Sequence, residues 1–531
     1  MTPAAPVRTG TPPLWRAGIF ASIVVVTVVA YQLSSVLNTR GQAAVGIVVF
    51  IALVAGCSSN LRAVNPRTIV SGILLQFLLA CAVLYSEWVQ AVLKVVGGGV
   101  VKLLEFSRAG SDFVFGPLAD PAQLAKVFGP DHAFVFAFVA LPPIIFVSGF
   151  FSLLYYFGVL QFLVKVMSVA MRYLMGTSGA ETLSVSANVF MGQTEAPLIV
   201  KPFVPRMTQS ELLALMASGM AHVSGGMMAV YIGYTKGYFG NDADKAAVAI
   251  LTTCVMACPC SLYLTKLLLP ETGTPETSGG AEIVVPKTHV NPIDALAGGI
   301  KDGLQLALNV AAMLIGFLAM IAMINALIGG IKPGLLWLWD LPGSGWLAIE
   351  AVVTVGFIAS VGWTRIHPGD RAAKWYSIGL GLIAAIVLAR RVAANSGFDL
   401  TSNLEWWPDD LTLEYILGWL FRPAAFLIGV HPDETGKVGT LLGIKLVANE
   451  HVAFIKLTKS PEFVDLGLRS RTLAVYALTG FANFASVGIQ LGGIGALAPE
   501  RRADLAKLGM RALFVGFLAT LINAAVAGLL M

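Results

Sequence analysis

Between Met171 and Val204 the chain reads MRYLMGTSGAETLSVSANVFMGQTEAPLIVKPFV, and this stretch decides the fold. It sets Glu181, Asn188, Gln193, Glu195 and Lys201 among apolar residues, with Pro197 and Pro202 inside it and Pro205 just beyond. In an extramembrane loop such a mixture is unremarkable. At membrane depth, polar and broken backbone survives only inside protein or against a water-filled cavity, which is how a transport path is lined. Gly192 is expected to permit the sharp reversal of a hairpin tip, and Pro197 to begin or end a half-helix. Gln193, Thr194 and Glu195 then project from the tip. An amide, a hydroxyl and a carboxylate together offer donors and acceptors to a polar, uncharged ligand such as a base or a sugar.

The flanks settle which alternative applies. The chain has 531 residues, 56% of them hydrophobic and 12% charged, with a mean hydropathy of +0.78. Soluble domains carry about 25% charged residues, so this is an all-α integral membrane protein in a lipid bilayer. Each crossing takes about 20 mostly apolar residues, and about ten full spans are expected, with several half-length or re-entrant segments. The net charge of +5 fits membrane loops rich in Lys and Arg and gives no reason to invoke nucleic acid. The five cysteines, Cys57, Cys81, Cys254, Cys258 and Cys260, lie in or beside apolar runs as small core residues. No Walker motif, nucleophile elbow or zinc-ligand pattern marks an enzyme, and no cofactor is called for. The apolar run from Ala17 to Ala30 follows two arginines without a convincing cleavage site and is read as a retained first span.

Residues 1–64 and 65–172 read as N-terminal helices and scaffold, the latter holding an amphipathic helix from Val89 to Phe115 at the membrane surface and a span from Phe134 to Leu163 kinked at Pro142 and Pro143. Residues 173–269 form a first half: the broken hairpin, then helices from Ser210 to Tyr234 and from Ala246 to Leu269. A solvated linker occupies 270–295 and a membrane helix 296–330. Two runs, Trp346 to Val361 and Tyr376 to Ala394, make an inserted hairpin within 335–405. The second half, 411–531, repeats the theme. An amphipathic segment from Leu411 to Val430 precedes a run from Gly436 to Leu457 broken by Lys445, Asn449 and Glu450, and spans from Leu473 to Ala496 and Leu513 to Leu530 follow. Paired interrupted segments in two halves are the best sequence pointer to a transporter's central site.

Glu450 is a functional candidate because a carboxylate inside a membrane helix costs about 2.5–3.5 kcal/mol. Asn483 and Ser486 lie three apart, on one helical face, near Phe481. Their alternative is hydrogen bonding between helices; together with Glu195 and Glu450 they suit a base or a ribose.

Five motifs, Gly192-Gln-Thr-Glu-Ala-Pro197, Met207-Thr-Gln-Ser-Glu-Leu212, Asn449-Glu-His-Val-Ala-Phe454, Gly480-Phe-Ala-Asn483 and Gly492-Gly-Ile-Gly-Ala-Leu-Ala-Pro-Glu-Arg-Arg502, occur in an order and spacing that resembles the concentrative nucleoside transporter family from about Pro66 to the C-terminus. The resemblance implies a homotrimer in a bacterial plasma membrane, each protomer holding a nucleoside between two re-entrant hairpins and two partly unwound helices. It puts the base at Gln193, Thr194 and Glu195, and the ribose at Glu450, Asn483 and Ser486 with Phe481 nearby. For a coupling sodium it implies the Asn188 side chain, the Met191 and Val223 carbonyls, and a hydroxyl at position 222.

Position 222 is His, and the family's Phe is His451 here. Sodium prefers oxygen ligands, whereas imidazole offers nitrogen and titrates near pH 6.5, so His222 brings proton coupling into consideration and the coupling ion stays open between H+ and Na+. The expected activity is cation-coupled nucleoside uptake; the alternative is a non-coupled facilitator or a nucleoside-sensing receptor. Purine or pyrimidine preference is open, with Met227 as a selectivity position.

Overall fold

The computed structural model describes residues 10–34, 36–128, 135–139, 141–239, 243–278, 289–334, 343–366, 376–377, 379–381, 384–385 and 411–531. They are helical, with no strand among them. They form two units, one of Met1–Leu318 with Leu417–Met531 and one of Ala319–Ile416.

The first unit opens with α1 (Pro13–Gln32), which contains the apolar run from Ala17 to Ala30, and goes on with α2 (Thr39–Gly56) and α3 (Pro66–Tyr85). Pro at the first turn of α1 and α3, and the Asn38 and Asn65 side chains accepting backbone N–H bonds, explain why they begin where they do. The amphipathic α4 (Glu87–Phe115) and short α5 (Pro121–Phe128) and α6 (Phe136–Val139) follow, then α7 (Leu141–Tyr156) and α8 (Val159–Met175). The single kinked span expected from Phe134 to Leu163 is thus divided. Gly158, at φ +83, takes the left-handed conformation that a residue with a Cβ resists, and a new helix starts after it.

The decisive stretch forms α9 (Gly179–Ala187), a turn, and the one-turn α10 (Ala196–Ile199). Gly192 is not among the glycines with positive φ. The reversal needs room there rather than left-handed backbone, since a Cβ on Gly192 would come within 3.0 Å of Glu195 Oε2. The run read as one helix from Ser210 to Tyr234 is α11 (Gln209–Ala221) and α12 (Gly225–Tyr238), with extended backbone at His222 and Ser224 between them. Next comes α13 (Ala243–Leu268), and α14 (Pro292–Gly329) runs on into the second unit.

The second unit contains α15 (Gly343–Ile366), the first member of the expected inserted hairpin. Most of Tyr376 to Ala394 lies outside the described residues. Where α14 meets the start of α16 (Leu413–Leu427), Asn325 donates to Glu414 at 2.8 Å and accepts from the Leu413 N–H at 2.7 Å.

The remainder of the first unit repeats the broken pattern. α17 (Thr435–Val447) and α18 (Glu450–Lys459) meet at Ala448 and Asn449; α19 (Pro461–Val464) leads to α20 (Leu468–Leu478), which unwinds through Thr479–Asn483 before α21 (Phe484–Leu497). The span read from Leu473 to Ala496 is therefore also two helices. Gly480 permits this break: it sits at φ +143, and a Cβ there would come within 2.7 Å of Thr520 Cγ2 and 3.0 Å of the Ala221 carbonyl. The last helix, α22 (Arg502–Leu530), is buried along most of its length and packs on α2, α11, α13 and α20.

Six helices among the described residues are long and apolar enough to cross a membrane, against the ten or so expected. Much of the difference lies in long apolar runs divided at polar breaks, which leave helices too short to cross alone.

Candidate functional site

Each break exposes a helix end whose backbone groups need partners, and the chain supplies polar residues at those points. Ser224 caps α12 through the Met227 N–H (3.4 Å), Asn449 caps α18 through Val452 (2.8 Å), and Asn483 caps α21 through Ser486 (2.8 Å). Asn483 is therefore a cap and does not share a helical face with Ser486; capping brings the two together instead. The three capped ends converge on a cavity of about 320 Å³. The tip residues Gln193, Thr194 and Glu195 line it, as do Met227, Glu450, His451, Phe481, Asn483 and Ser486.

The seven residues expected to meet a ligand thus share one cavity, and most are tied together. Gln490 Nε2 donates to Gln193 Oε1 at 3.1 Å, and Gln193 Nε2 to Ser486 Oγ at 3.2 Å. Asn483 Nδ2 donates to Glu450 Oε2 at 2.8 Å, and the Tyr231 hydroxyl to Glu450 Oε1 at 2.9 Å. Through the Asn483 cap this is a continuous chain of hydrogen bonds joining the first hairpin tip, α21, the second tip and α12. It leaves capacity unused: one amide N–H on Gln193, one on Asn483, and acceptor capacity on the Glu450 carboxylate. Glu195 turns back on its own hairpin, accepting from the Gly192 N–H at 2.5 Å, and also borders a second cavity with Met191, Ser224 and Asp302.

Sequence reasoning missed Tyr231 and Gln490. Gln490 carried a signal, since it lies one helical turn beyond Ser486 on the same face. Its approach to Gln193 depends on Gly219, where a Cβ would meet Gln490 Nε2 at 2.7 Å and Gln193 Cβ at 2.8 Å. His451 lines the cavity beside Glu450, its ring between Phe136 (centroids 4.9 Å) and Tyr234 (5.5 Å), with Nε2 3.3 Å from the Tyr234 hydroxyl.

The residues implied for a cation lie behind the first tip. Asn188 is buried; its Nδ2 donates to the Ser184 carbonyl (3.2 Å) and to Ser218 Oγ (2.9 Å), while its Oδ1 has no partner. A buried carbonyl oxygen left bare is costly and suits a cation. His222 also meets Ser218, its Nδ1 2.7 Å from that residue's carbonyl, and its Nε2 lies 3.3 Å from Cys258 Sγ on α13. Cys254, Cys258 and Cys260 are buried, and no group of three or more His, Cys, Asp or Glu side chains that could hold a metal occurs among the described residues.

Apolar helices interrupted in two corresponding places, with capped ends around a polar cavity, are the architecture of a transporter for a polar small molecule. Comparison with known proteins narrows the class. The "Na+ dependent nucleoside transporter C-terminus" model matches residues 249–363 and 373–528, the corresponding N-terminus model 45–118, and a "Nucleoside recognition" gate model 137–238. The match includes residues 346–363 and 373–394, most of the segment read as inserted. An uncharacterized transporter of Haemophilus influenzae is 34% identical over 91% of this chain and 96% of its own length. Nucleoside permease NupC of Helicobacter pylori is 30% identical over 91% and 96%. Sodium/nucleoside cotransporter 1 of Mus musculus is 33% identical over 91% of this chain, which spans 63% of that longer protein. An inward-facing, substrate-bound structure of CNTnw matches with a TM-score of 0.71 and 34% identity over 92% of this chain and 97% of that one. The chain belongs to the Na+ dependent nucleoside transporter family, whose named members are transporters and not enzymes.

Proposed function

We propose that this protein takes up nucleosides across a bacterial plasma membrane by symport with a cation, as a homotrimer whose two broken hairpins are re-entrant. The observation that carries this is the hydrogen-bonded chain from Gln490 to Tyr231, with its spare amide hydrogens and carboxylate lone pairs turned on one cavity. Gln193, Thr194 and Glu195 serve the base, and Glu450, Asn483 and Ser486 the ribose, with Phe481 packing beside them. A nucleoside offers both hydroxyl donors and ring acceptors, matching what is left unpaired.

Sodium is the coupling ion in this reading. The unpartnered Asn188 Oδ1 supports it, with the Met191 and Val223 carbonyls completing an oxygen set of the kind a hard cation prefers. Proton coupling rests on a different observation, the imidazole of His222 in place of a hydroxyl. Uridine and adenosine uptake into vesicles, with sodium and proton gradients imposed separately, tests all of this. Accumulation above the external concentration under a sodium gradient alone supports the proposal. Accumulation under a proton gradient alone transfers the role to protonation, and equilibration without accumulation leaves a facilitator. His222→Ser should lower the sodium concentration needed for half-maximal uptake, since it returns a hydroxyl oxygen.

A further inference from the structure

Glu450 is almost fully buried, and its two oxygens are held by two different elements: Oε1 by the Tyr231 hydroxyl of α12 at 2.9 Å, Oε2 by Asn483 of α21 at 2.8 Å. A carboxylate has about four acceptor positions, so these two donors do not fill it. The terminal torsion of a glutamate is broad, roughly two-fold and weakly restrained by its own chain. With one donor fixed on each oxygen the plane of the group is held, and acceptor capacity remains on the carboxylate for further donors. A vicinal diol presents two neighbouring O–H donors, and paired hydrogen bonds to a carboxylate held in one plane are geometrically specific.

Tyr231 is itself held firmly. It is fully buried, and its ring stacks on Phe454 of α18, centroids 4.4 Å apart and planes 12° apart. It lies one turn beyond Met227 on α12, yet unlike Met227 it is not a lining residue of the cavity. The hydroxyl therefore reaches Glu450 from behind.

We propose that Tyr231 is a positioning residue that sets the Glu450 carboxylate to receive the 2′,3′-diol of a ribose, and so determines the preference for ribonucleosides over sugars lacking the diol. This rests on the nucleoside reading above. Tyr231→Phe keeps the ring and its stack and removes only the hydroxyl.

The test measures binding of uridine, adenosine and 2′,3′-dideoxyuridine to the purified full-length protein. The native protein is expected to favour uridine. In Tyr231→Phe, uridine affinity falls about tenfold while dideoxyuridine affinity changes less than about twofold, so the preference collapses. Phe454→Leu, which frees the ring but retains the hydroxyl, reduces the preference by a smaller factor and carries the test should Tyr231→Phe fold poorly. An unchanged preference in either folded variant, or an equal loss for both ligands, overturns the positioning role. A native protein that binds neither uridine nor adenosine overturns the nucleoside reading itself, an outcome distinct from both.

Discussion

The two ends of α9 carry similar residues and use them in opposite ways. At its N-terminus Ser178 and Glu181 form a reciprocal capping box, and Thr208 with Glu211 forms another at the start of α11. The boxes interlock: Ser178 Oγ donates to Glu211 Oε1 at 2.6 Å, and Thr208 Oγ1 to Glu271 Oε2 at 2.8 Å. The buried Lys266 ammonium reaches Glu181 at 2.7 Å, Glu271 at 3.3 Å and Ser210 Oγ at 2.9 Å. At the other end, Asn188 Oδ1 and Ser184 Oγ have no partner, and the tip residues keep hydrogen-bonding capacity turned on the cavity. Polar groups that satisfy one another hold structure together, whereas polar groups left partly unsatisfied are poised to exchange partners with a ligand.

Five substitutions sharpen or break that contrast. The largest effect belongs to Lys266→Met, which strands Glu181 and Glu271 without their shared cation; breaking a buried pair in this way costs about 3–5 kcal/mol. A steep fall in melting temperature with loss of folded protein is expected, and a variant that melts like the native chain would show that this end is not the structural one. Next come Glu450→Gln and Asn483→Ala. Either should cut uptake about tenfold or more by leaving a ribose hydroxyl unpaired; Glu450→Gln should melt like the native protein, whereas Asn483→Ala also removes the cap of α21 and should melt slightly earlier; near-normal uptake in both would remove the site assignment.

Asn188→Ala deletes the bare oxygen. Half-maximal uptake should then need about tenfold more sodium, because one oxygen ligand is gone, with nucleoside affinity at saturating sodium little altered. A sodium response equal to that of the native protein would detach Asn188 from coupling. The smallest change is Thr208→Ala, which removes one cap worth about 1 kcal/mol. It should lower the melting temperature slightly and leave uptake kinetics untouched; slowed transport at normal stability would mean that this end also takes part in the transport cycle.

Part of this contrast was legible in the residues alone. Glu195, Asn188 and Gln193 stood out as polar groups among apolar neighbours, but Glu181 stood out in the same way, and hydropathy gives no means of separating a carboxylate that meets Lys266 from one that meets a ligand. The polar linker shows the same limit. Its composition from Pro270 reads as solvated, yet Thr277 is buried and accepts the Ala180 N–H at 3.0 Å while its carbonyl accepts that of Gly179. A short polar segment can serve as a cap for a distant helix, and only its position reveals that.

By itself the sequence determined that the chain lies in a membrane, that its helices break in two corresponding places, and which polar residues stand at those breaks. These follow from local causes: the length of apolar runs, the conformational demands of Gly and Pro, and the cost of a bare polar group in lipid. Tertiary structure alone decided that the breaks meet, that Asn483 reaches Glu450 and Gln193 reaches Ser486 across 33 and 293 residues of chain, and that Tyr231 and Gln490 stand behind them. Hydrogen bonds between distant segments depend on how helices approach, and the small groups that permit close approach, Gly219 against Gln193 and Gly480 against Thr520, leave no periodic mark to read in advance.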